Sequence, residues 1–243
     1  MNKQTFLTLL ATFALLFSFT FSCHAKGKDK AKHVVFIGLD GWGAYSLPKA
    51  DMPNVKKLME DGAYTLKKRS ALPSSSAINW ASMFMGAGPE LHGYTEWGSK
   101  TPELPSRVLN KNGIFPTVFQ LLRDARPEAE IGCLYEWEGI KYLVDTLSLS
   151  YHYHVADCNK TPKELGNMAS SYIKEKHPAL VAICYDGPDH TRHTAGHDTP
   201  EYYEKLKELD MYVGQIVQAV KDAGMLDDTI FILTSDHGGI DKG

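Results

Sequence analysis

Short, almost uninterrupted apolar segments alternate with longer segments of helical spacing, and this alternation constrains the fold more than any other feature of the chain. Residues 33–39, 179–185 and 229–234 are apolar, rich in β-branched side chains and short enough to be buried strands. Residues 200–223 separate the last two and carry apolar side chains at helical spacing. The pattern predicts an α/β fold, with a mostly parallel central sheet and helices on both faces.

The remaining segments extend this prediction. Four more helices are predicted, over residues 53–61, 77–85, 116–123 and 161–176. Extended patterns predict strands over residues 64–72 and 130–135. Residues 90–113 are rich in Gly, Pro and polar side chains, so we expect an excursion or lid there. No repeat or linker divides the chain, and residues 26–243 are expected to form one domain.

The first 25 residues are predicted to be an export signal. Lys3 precedes an apolar run over residues 6–21, which is too short and too poorly flanked to predict a membrane span. A lysine-rich stretch follows Ala25, so cleavage after Ala25 is expected, with lipid attachment at Cys23 as the alternative. The mature chain is therefore expected to be periplasmic or secreted, without a transmembrane span.

Net charge and cysteine content narrow the possible partners and cofactors. The formal net charge of −3 argues against binding of a nucleic-acid polymer, which usually requires a basic surface. Beyond Cys23, the cysteines are Cys133, Cys158 and Cys184, which allow one disulfide at most. Cys184 lies in an apolar run, where a buried and inert thiol is expected. No CxxC pattern indicates a zinc–thiolate or redox site.

Acidic side chains follow three of the predicted strands. In an open parallel sheet the carboxyl ends of the strands share one edge, where ligands bind. Each residue alone is typical of a turn or a solvated loop, but their coincidence favours a metal site. A divalent cation offsets the cost of crowding negative charge, and mixed Asp/His ligation suits Zn²⁺, with Mn²⁺ possible. The candidates are Asp40, Asp186, Asp189, His193, Asp236 and His237.

Ser76 is the candidate nucleophile. It lies at the predicted start of a helix, where backbone N–H groups favour an anionic phosphoryl group. No catalytic base adjoins it in sequence, but a metal ion can hold a serine as its alkoxide. Asn79, one helical turn on, could direct its amide to a substrate oxygen. These serines could equally do no more than cap the helix, and the residues alone leave both interpretations open.

Four motifs then occur in order along residues 33–239. They are Phe36-Ile37-Gly38-Leu39-Asp40-Gly41, Ser76-Ala77-Ile78-Asn79 followed by Gly86, Asp189 with His193 and Gly196, and Ser235-Asp236-His237-Gly238. In this order the motifs resemble the alkaline phosphatase superfamily, and within it the type I phosphodiesterase / nucleotide pyrophosphatase family. The resemblance implies an alkaline-phosphatase-like fold.

The resemblance also implies a mechanism and two divalent metal ions, with Zn²⁺ preferred. The first metal position would be formed by Asp40, Ser76, Asp236 and His237, and the second by Asp189 and His193. Ser76 would attack a small phosphate ester, a phosphodiester or nucleotide pyrophosphate, and form a covalent intermediate that water then hydrolyses. Asn79 would stabilise the transition state. No oligomeric state is predicted.

Three departures from the family pattern bear on these expectations. Ser76 stands where this family more often has Thr, although both hydroxyls can perform the chemistry. Ile78 and Trp80 stand where sulfatases have Pro and Arg, which disfavours a sulfatase. The family's second metal position takes a further His from beyond the Asp-His-Gly turn, so the chain ending at Gly243 is expected to be truncated at its C-terminus.

Three alternative functions are kept open. Two are enzymatic and belong to the same superfamily, namely a phosphomonoesterase and a phosphosugar mutase. The third is a binding relative that keeps the fold without catalysis. Metal analysis together with the kinetics of a Ser76→Ala variant would separate an enzyme from a binding protein.

Overall fold

Five parallel strands form the central sheet of the computed structural model, which describes residues 31–156 and 161–239. In chain order the strands are β1 (His33–Leu39), β2 (Ile131–Tyr135), β3 (Tyr151–His154), β4 (Leu180–Tyr185) and β5 (Thr229–Thr234). Their order across the sheet is β3-β2-β4-β1-β5. The predicted parallel sheet is therefore confirmed, and it places the ends of β4, β1 and β5 side by side.

Seven α-helices accompany the strands in the described residues. They are α1 (Pro53–Asp61), α2 (Ser76–Met85), α3 (Pro89–His92), α4 (Val118–Ala125), α5 (Thr161–Lys176), α6 (Gly187–Ala195) and α7 (Pro200–Asp222). Four short 3₁₀ segments lie at Ala44–Ser46, Glu138–Tyr142, Thr146–Ser148 and Leu226–Asp228. None of the described helices combines the length and apolar character needed to cross a membrane.

Alternate residues of β4 pack against opposite faces of the sheet, as the pleat of a strand requires. Val181 and Ile183 belong to the core under α1, α5 and α7. Ala182 and Cys184 belong to the core under α2 and α4. All four are almost fully buried, which explains why β4 is apolar along its whole length. Helices thus cover both faces, as predicted.

One sequence prediction about local structure is wrong, and one strand was not predicted. Residues 64–72 form no strand, and Tyr64 and Leu72 are 64% and 78% exposed. The basic run Lys67-Lys68-Arg69 interrupts the apolar pattern, and no described strand pairs with this segment. The four-residue strand β3 was missed because Tyr and His alternate in it without a clear apolar face.

Cys133 and Cys184 are free and buried, which confirms the expectation for Cys184. They lie on the neighbouring strands β2 and β4 and pack in the same core. The predictions for the signal sequence, for Cys23 and for Cys158 fall outside the described residues.

Asp210 fixes α1 against α7. Its carboxylate is buried and accepts hydrogen bonds from the Asn54 and Val55 backbone N–H groups at 3.1 and 2.8 Å. Met52, at the N-cap position of α1, provides no side-chain cap. Asp210 therefore caps α1 from a different helix. This anchors the first βα unit, which begins with the strand that ends at Asp40.

The Asp210→Ala substitution is expected to lower the free energy of unfolding by about 1–3 kcal/mol, because it leaves the buried Val55 N–H and the partly buried Asn54 N–H without their acceptor. Urea denaturation near neutral pH, followed by far-UV circular dichroism, measures this change. Asp222, exposed on the same helix, supplies the control, and Asp222→Ala is expected to change stability by less than about 0.5 kcal/mol. Equal losses in the two variants would contradict the capping role.

Candidate active site

The ends of β1, β4 and β5 and the start of α2 meet at one edge of the sheet. Asp40 directly follows β1, and Asp236 and His237 follow β5. Asp189 lies in the first turn of α6, immediately after β4. Ser76 is the first residue of α2. The predicted convergence of these side chains therefore rests on the strand order, which places β1 between β4 and β5.

The hydroxyl of Ser76 lies among the predicted ligands. Its Oγ is 3.4 Å from Asp40 Oδ1 and 3.1 Å from His237 Nε2. His237 Nε2 is also 3.5 Å from Asp40 Oδ1, 3.3 Å from Asp236 Oδ2 and 4.0 Å from Asp189 Oδ1. Side chains separated by more than a hundred residues along the chain thus meet around one hydroxyl group.

Helix capping does not account for the position of Ser76. The N-cap residue of α2 is Ser75, and it makes no side-chain capping hydrogen bond. The Ser76 hydroxyl instead contacts Asp40 and His237. Its place at the start of a ten-residue helix puts it at the positive end of the helix dipole.

The donor set fits a divalent cation. Asp40, Asp189 and His237 each offer one ligand atom, and these atoms lie within 4.8 Å of one another. Asp236 Oδ2 is buried and accepts no hydrogen bond within the described part of the chain. A buried carboxylate oxygen that accepts no hydrogen bond is costly unless a cation binds it. Mixed oxygen and imidazole donors suit Zn²⁺ or a similar ion.

The raised pKa values of two carboxyl groups also favour cation binding at this site. Burial raises the pKa of Asp40 well above its usual range, and the neighbouring Asp236 and Asp189 raise it further. Burial likewise raises the pKa of Asp236 to about 7, although N–H groups oppose the shift. The Trp80 indole N–H donates to Asp40 Oδ2 at 2.8 Å, and the Gly41 N–H donates to Asp236 Oδ1 at 3.1 Å. These two neutral donors only partly offset the negative charge.

Gly41 allows the turn after β1 to approach α6. Its φ of +66° is a conformation that favours glycine, and a Cβ at this position would lie 2.6–2.9 Å from atoms of Asp189. Any other residue would push Asp189 away from Asp40. An Asp-Gly pair is typical of a turn, and in the structure this turn also allows Asp189 to lie close to Asp40.

Asp189 and His193 lie on one face of α6, four residues apart, with His193 Nε2 3.2 Å from Asp189 Oδ2. The helix α6 was not predicted from the sequence, because Gly187-Pro188 is typical of a turn. Arg192 was missed as well, and its Nε is 2.5 Å from Asp189 Oδ1. Residues three apart on a helix are neighbours, so the ion pair could have been predicted from the sequence only if the helix itself had been predicted.

Asn79 hydrogen-bonds to backbone groups near Ser76. Its Oδ1 accepts from the Ala71 N–H at 2.6 Å, and its amide donates to the Ser75 and Ala71 carbonyls at 3.0 and 3.3 Å. The side chain is buried and braces the segment that leads into Ser76. Its polar atoms are occupied by backbone groups, so these contacts give no support to the predicted transition-state role.

Lys68 is a residue near the site that sequence reasoning missed. Its Nζ donates to the Ser235 carbonyl and lies 3.5 Å from the Asp236 carbonyl. Burial lowers the pKa of Lys68. The ammonium group thus holds the turn that carries Asp236 and His237. Its only sequence signal was a basic run inside a segment that was predicted, wrongly, to be a strand.

The adjacent strand ends of this parallel sheet supply carboxylate and imidazole groups around a serine hydroxyl, an arrangement that could hold a divalent cation beside a nucleophile. The family model for type I phosphodiesterase / nucleotide pyrophosphatase matches residues 34–241. The chain therefore belongs to this family, as the four sequence motifs indicated.

Individual relatives agree with this assignment. The chain is 26% identical over 221 residues to the bis(5'-adenosyl)-triphosphatase enpp4 of Mus musculus, a match that covers 86% of this chain and 48% of that protein. It is 22% identical over 216 residues to the bovine (Bos taurus) triphosphatase ENPP4, covering 84% and 47%. The chain thus spans about half the length of these curated relatives.

Solved structures share the fold. Murine ectonucleotide pyrophosphatase / phosphodiesterase 5 matches with a TM-score of 0.68 at 19% identity, over 85% of this chain and 57% of that chain. An inactive form of that murine protein, solved in complex with AMP, matches with a TM-score of 0.65 at 17% identity and the same coverage. At this level of identity the likeness shows a common architecture, and it confirms the predicted fold class.

The raised pKa values of Asp40 and Asp236 predict how the stability of the metal-free protein changes with pH. The pKa of Asp236 is about 7 in the folded protein, against an ordinary value of 3.8, so the folded state binds more protons between these values. The free energy of unfolding of the metal-free protein should therefore fall as pH rises through this window. Added Zn²⁺ should raise this free energy again, and by the largest amount at pH values above the window.

Thermal unfolding of the chelator-treated protein between about pH 5 and about pH 8 checks this expectation. The Asp236→Asn variant should show a smaller fall, because it removes one titrating group. Asp61→Asn, at an exposed position, controls for the change in net charge. A metal-free protein whose melting temperature rose steadily over the same range would rule the explanation out.

Proposed function

We propose that the protein hydrolyses small phosphate esters, with phosphodiester or nucleotide pyrophosphate bonds as its substrates and Ser76 as its nucleophile. The observation that carries the proposal is the position of the Ser76 hydroxyl at a helix N-terminus, 3.1 Å from His237 Nε2 and 3.4 Å from Asp40 Oδ1. Membership of the type I phosphodiesterase / nucleotide pyrophosphatase family supports the same reaction class.

Two divalent metal ions, with Zn²⁺ preferred, are proposed as cofactors. Asp40, Ser76, Asp236 and His237 would hold the first, and Asp189 and His193 the second. Bound cations would lower the pKa of the serine hydroxyl and neutralise charge on the phosphoryl oxygens. The Asp236 oxygen that accepts no hydrogen bond and the close approach of Asp40, Asp189 and His237 support cation binding at this edge of the sheet.

The residues of the chain would act in two displacements. Asp40 Oδ1 accepts a hydrogen bond from the Ser76 hydroxyl, which orients a lone pair of Oγ for in-line attack. Ser76 Oγ releases its proton to solvent as the new Oγ–P bond forms, the bond from phosphorus to the leaving oxygen breaks, and the leaving oxygen takes a proton from solvent. Water then attacks phosphorus and releases a proton to solvent, the Oγ–P bond breaks, and Ser76 Oγ takes up a proton.

The proposed substrate class follows from the relatives. The proteins from Mus musculus and Bos taurus are named as bis(5'-adenosyl)-triphosphatases. The matched murine structure holds AMP. We therefore extend a preference for nucleotides joined through phosphate to this chain. Its net charge of −3 gives no reason to expect a nucleic-acid polymer as a partner.

Export to the periplasm or the extracellular space is also proposed. The charged, apolar and small-residue regions over residues 1–25 support it, with lipid attachment at Cys23 as the alternative. The name ectonucleotide pyrophosphatase of the matched murine structure is consistent with it.

Diester hydrolysis is tested with the Zn²⁺-loaded protein. The ratio kcat/KM for bis-p-nitrophenyl phosphate should exceed that for p-nitrophenyl phosphate by about tenfold, equivalent to about 1.4 kcal/mol of transition-state binding. A preference for the monoester would favour the phosphomonoesterase instead. Turnover of neither ester, with metal bound, would favour the binding relative.

The Ser76→Ala variant is expected to lower kcat by about a thousandfold or more with little change in KM, because the hydroxyl acts in the chemical step. Ser74→Ala is the matched control, because Ser74 is exposed and contacts Ser70. It should keep kcat within about twofold of the parent value. Undiminished turnover by Ser76→Ala would eliminate Ser76 as the nucleophile.

A further inference from the structure

We infer that Glu136 is a positioning residue, which caps the N-terminus of α6 from the neighbouring strand and so fixes Asp189 and His193 at the rim of the site. Its consequence for metal binding rests on the proposed function, but the capping contact itself does not. Glu136 belongs to no sequence motif identified above.

Strand pairing brings Glu136 to α6. The residue directly follows β2, which pairs in parallel with β4 so that Tyr135 lies opposite Cys184. The Glu136 N–H continues this ladder by donating to the Cys184 carbonyl at 3.1 Å. The backbone therefore places Glu136 next to Asp186, the residue that connects β4 to α6.

The Glu136 carboxylate takes the place of a missing helix cap. Asp186 stands at the N-cap position of α6 and makes no side-chain capping hydrogen bond. Its backbone N–H instead donates to Glu136 Oε2 at 2.6 Å. The Gly187 N–H and the Thr161 side chain also act to lower the pKa of this carboxyl group. A carboxylate at this end of a helix satisfies free N–H groups and interacts favourably with the dipole.

Keeping an acidic group here is costly. Glu136 is only 8% exposed, and its Oε1 has no hydrogen-bond partner in the described part of the chain. Burial raises the pKa of Glu136 to about 7, against the effect of its N–H donors. An apolar side chain would fill the same space without this penalty. The capping contact is the interaction that gives the acid a function at this position.

The position of the start of α6 determines where Asp189 and His193 lie in the site. Asp189 lies three residues after Asp186, in the first turn of the helix, and His193 follows one turn later. Asp189 Oδ1 is 4.0 Å from His237 Nε2. On its other side, Asp189 lies close to the Gly41 backbone, in the turn that follows Asp40. A displaced helix start would change this contact and move Asp189 relative to Asp40 and His237.

The test compares Glu136→Ala with Glu136→Gln, whose amide oxygen can still accept the Asp186 N–H. Glu130→Ala is the matched control, because Glu130 lies just before β2 at the opposite end of the strand and accepts from the Tyr172 hydroxyl at 2.8 Å. The measurements are hydrogen–deuterium exchange of a peptide covering residues 186–195 and calorimetric titration with Zn²⁺.

Glu136→Ala should speed exchange at the start of α6 and weaken the binding of one Zn²⁺ by about tenfold, as loss of a group supporting metal ligands does. Glu136→Gln should retain most of both properties, and Glu130→Ala should change neither. If Glu136→Ala behaves like Glu130→Ala, the inference is wrong. Should Glu136→Ala not fold, Glu136→Asp, which shortens the reach of the carboxylate, is expected to show the same faster exchange, and parental exchange would refute the inference.

The two readouts separate the two proposals. A parent protein that bound no Zn²⁺ would count against the proposed function, and the exchange measurement would still decide whether Glu136 caps α6. Normal Zn²⁺ binding with parental exchange in every variant would count against the role of Glu136 alone.

Discussion

The close approach of three carboxylates at the ends of adjacent parallel strands is the constraint on which the rest of this structure depends. Asp40, Asp189 and Asp236 gather around His237, and burial raises the pKa of both Asp40 and Asp236. Two N–H donors, from Trp80 and Gly41, and the Arg192 guanidinium beside Asp189 offset part of the repulsion. The remaining negative charge is what a divalent cation would neutralise, and the serine hydroxyl lies where such a cation could activate it.

The surrounding structure holds this arrangement in place from several directions. Gly41 permits β1 and α6 to approach, and Lys68 holds the backbone of the turn after β5. Asn79 braces the segment before Ser76, and Glu136 supports the start of α6. Each support acts mainly on backbone groups, so the positions of the reacting side chains depend on where strands and helices begin and end. Local hydrogen bonding thereby sets the geometry of a site assembled from distant parts of the chain.

The sequence predicted what depends on burial and on strand ends. β1, β4 and β5 are continuous apolar runs, and a parallel sheet necessarily brings the residues after them together, so the pattern of residues was enough to place Asp40, Asp189 and Asp236 at one edge. It failed where a tertiary contact overrides a local pattern. Residues 64–72, predicted to be a strand, have no partner strand in the described chain, and Gly187-Pro188 starts a helix that Glu136 caps. The hydrogen-bond and ion-pair partners of Asn79, Arg192 and Lys68 were not predicted, because the periodicity of a sequence does not determine which groups a polar side chain contacts.

The claim that these side chains gather to bind a cation beside a hydroxyl is tested most directly by diffraction from crystals soaked in Zn²⁺, measured at the zinc absorption edge. The account predicts an anomalous peak bounded by Asp40, Asp236 and His237, with Ser76 Oγ within coordination distance. Anomalous density confined to other parts of the surface, or a Ser76 hydroxyl turned away from a correctly bound ion, would contradict it.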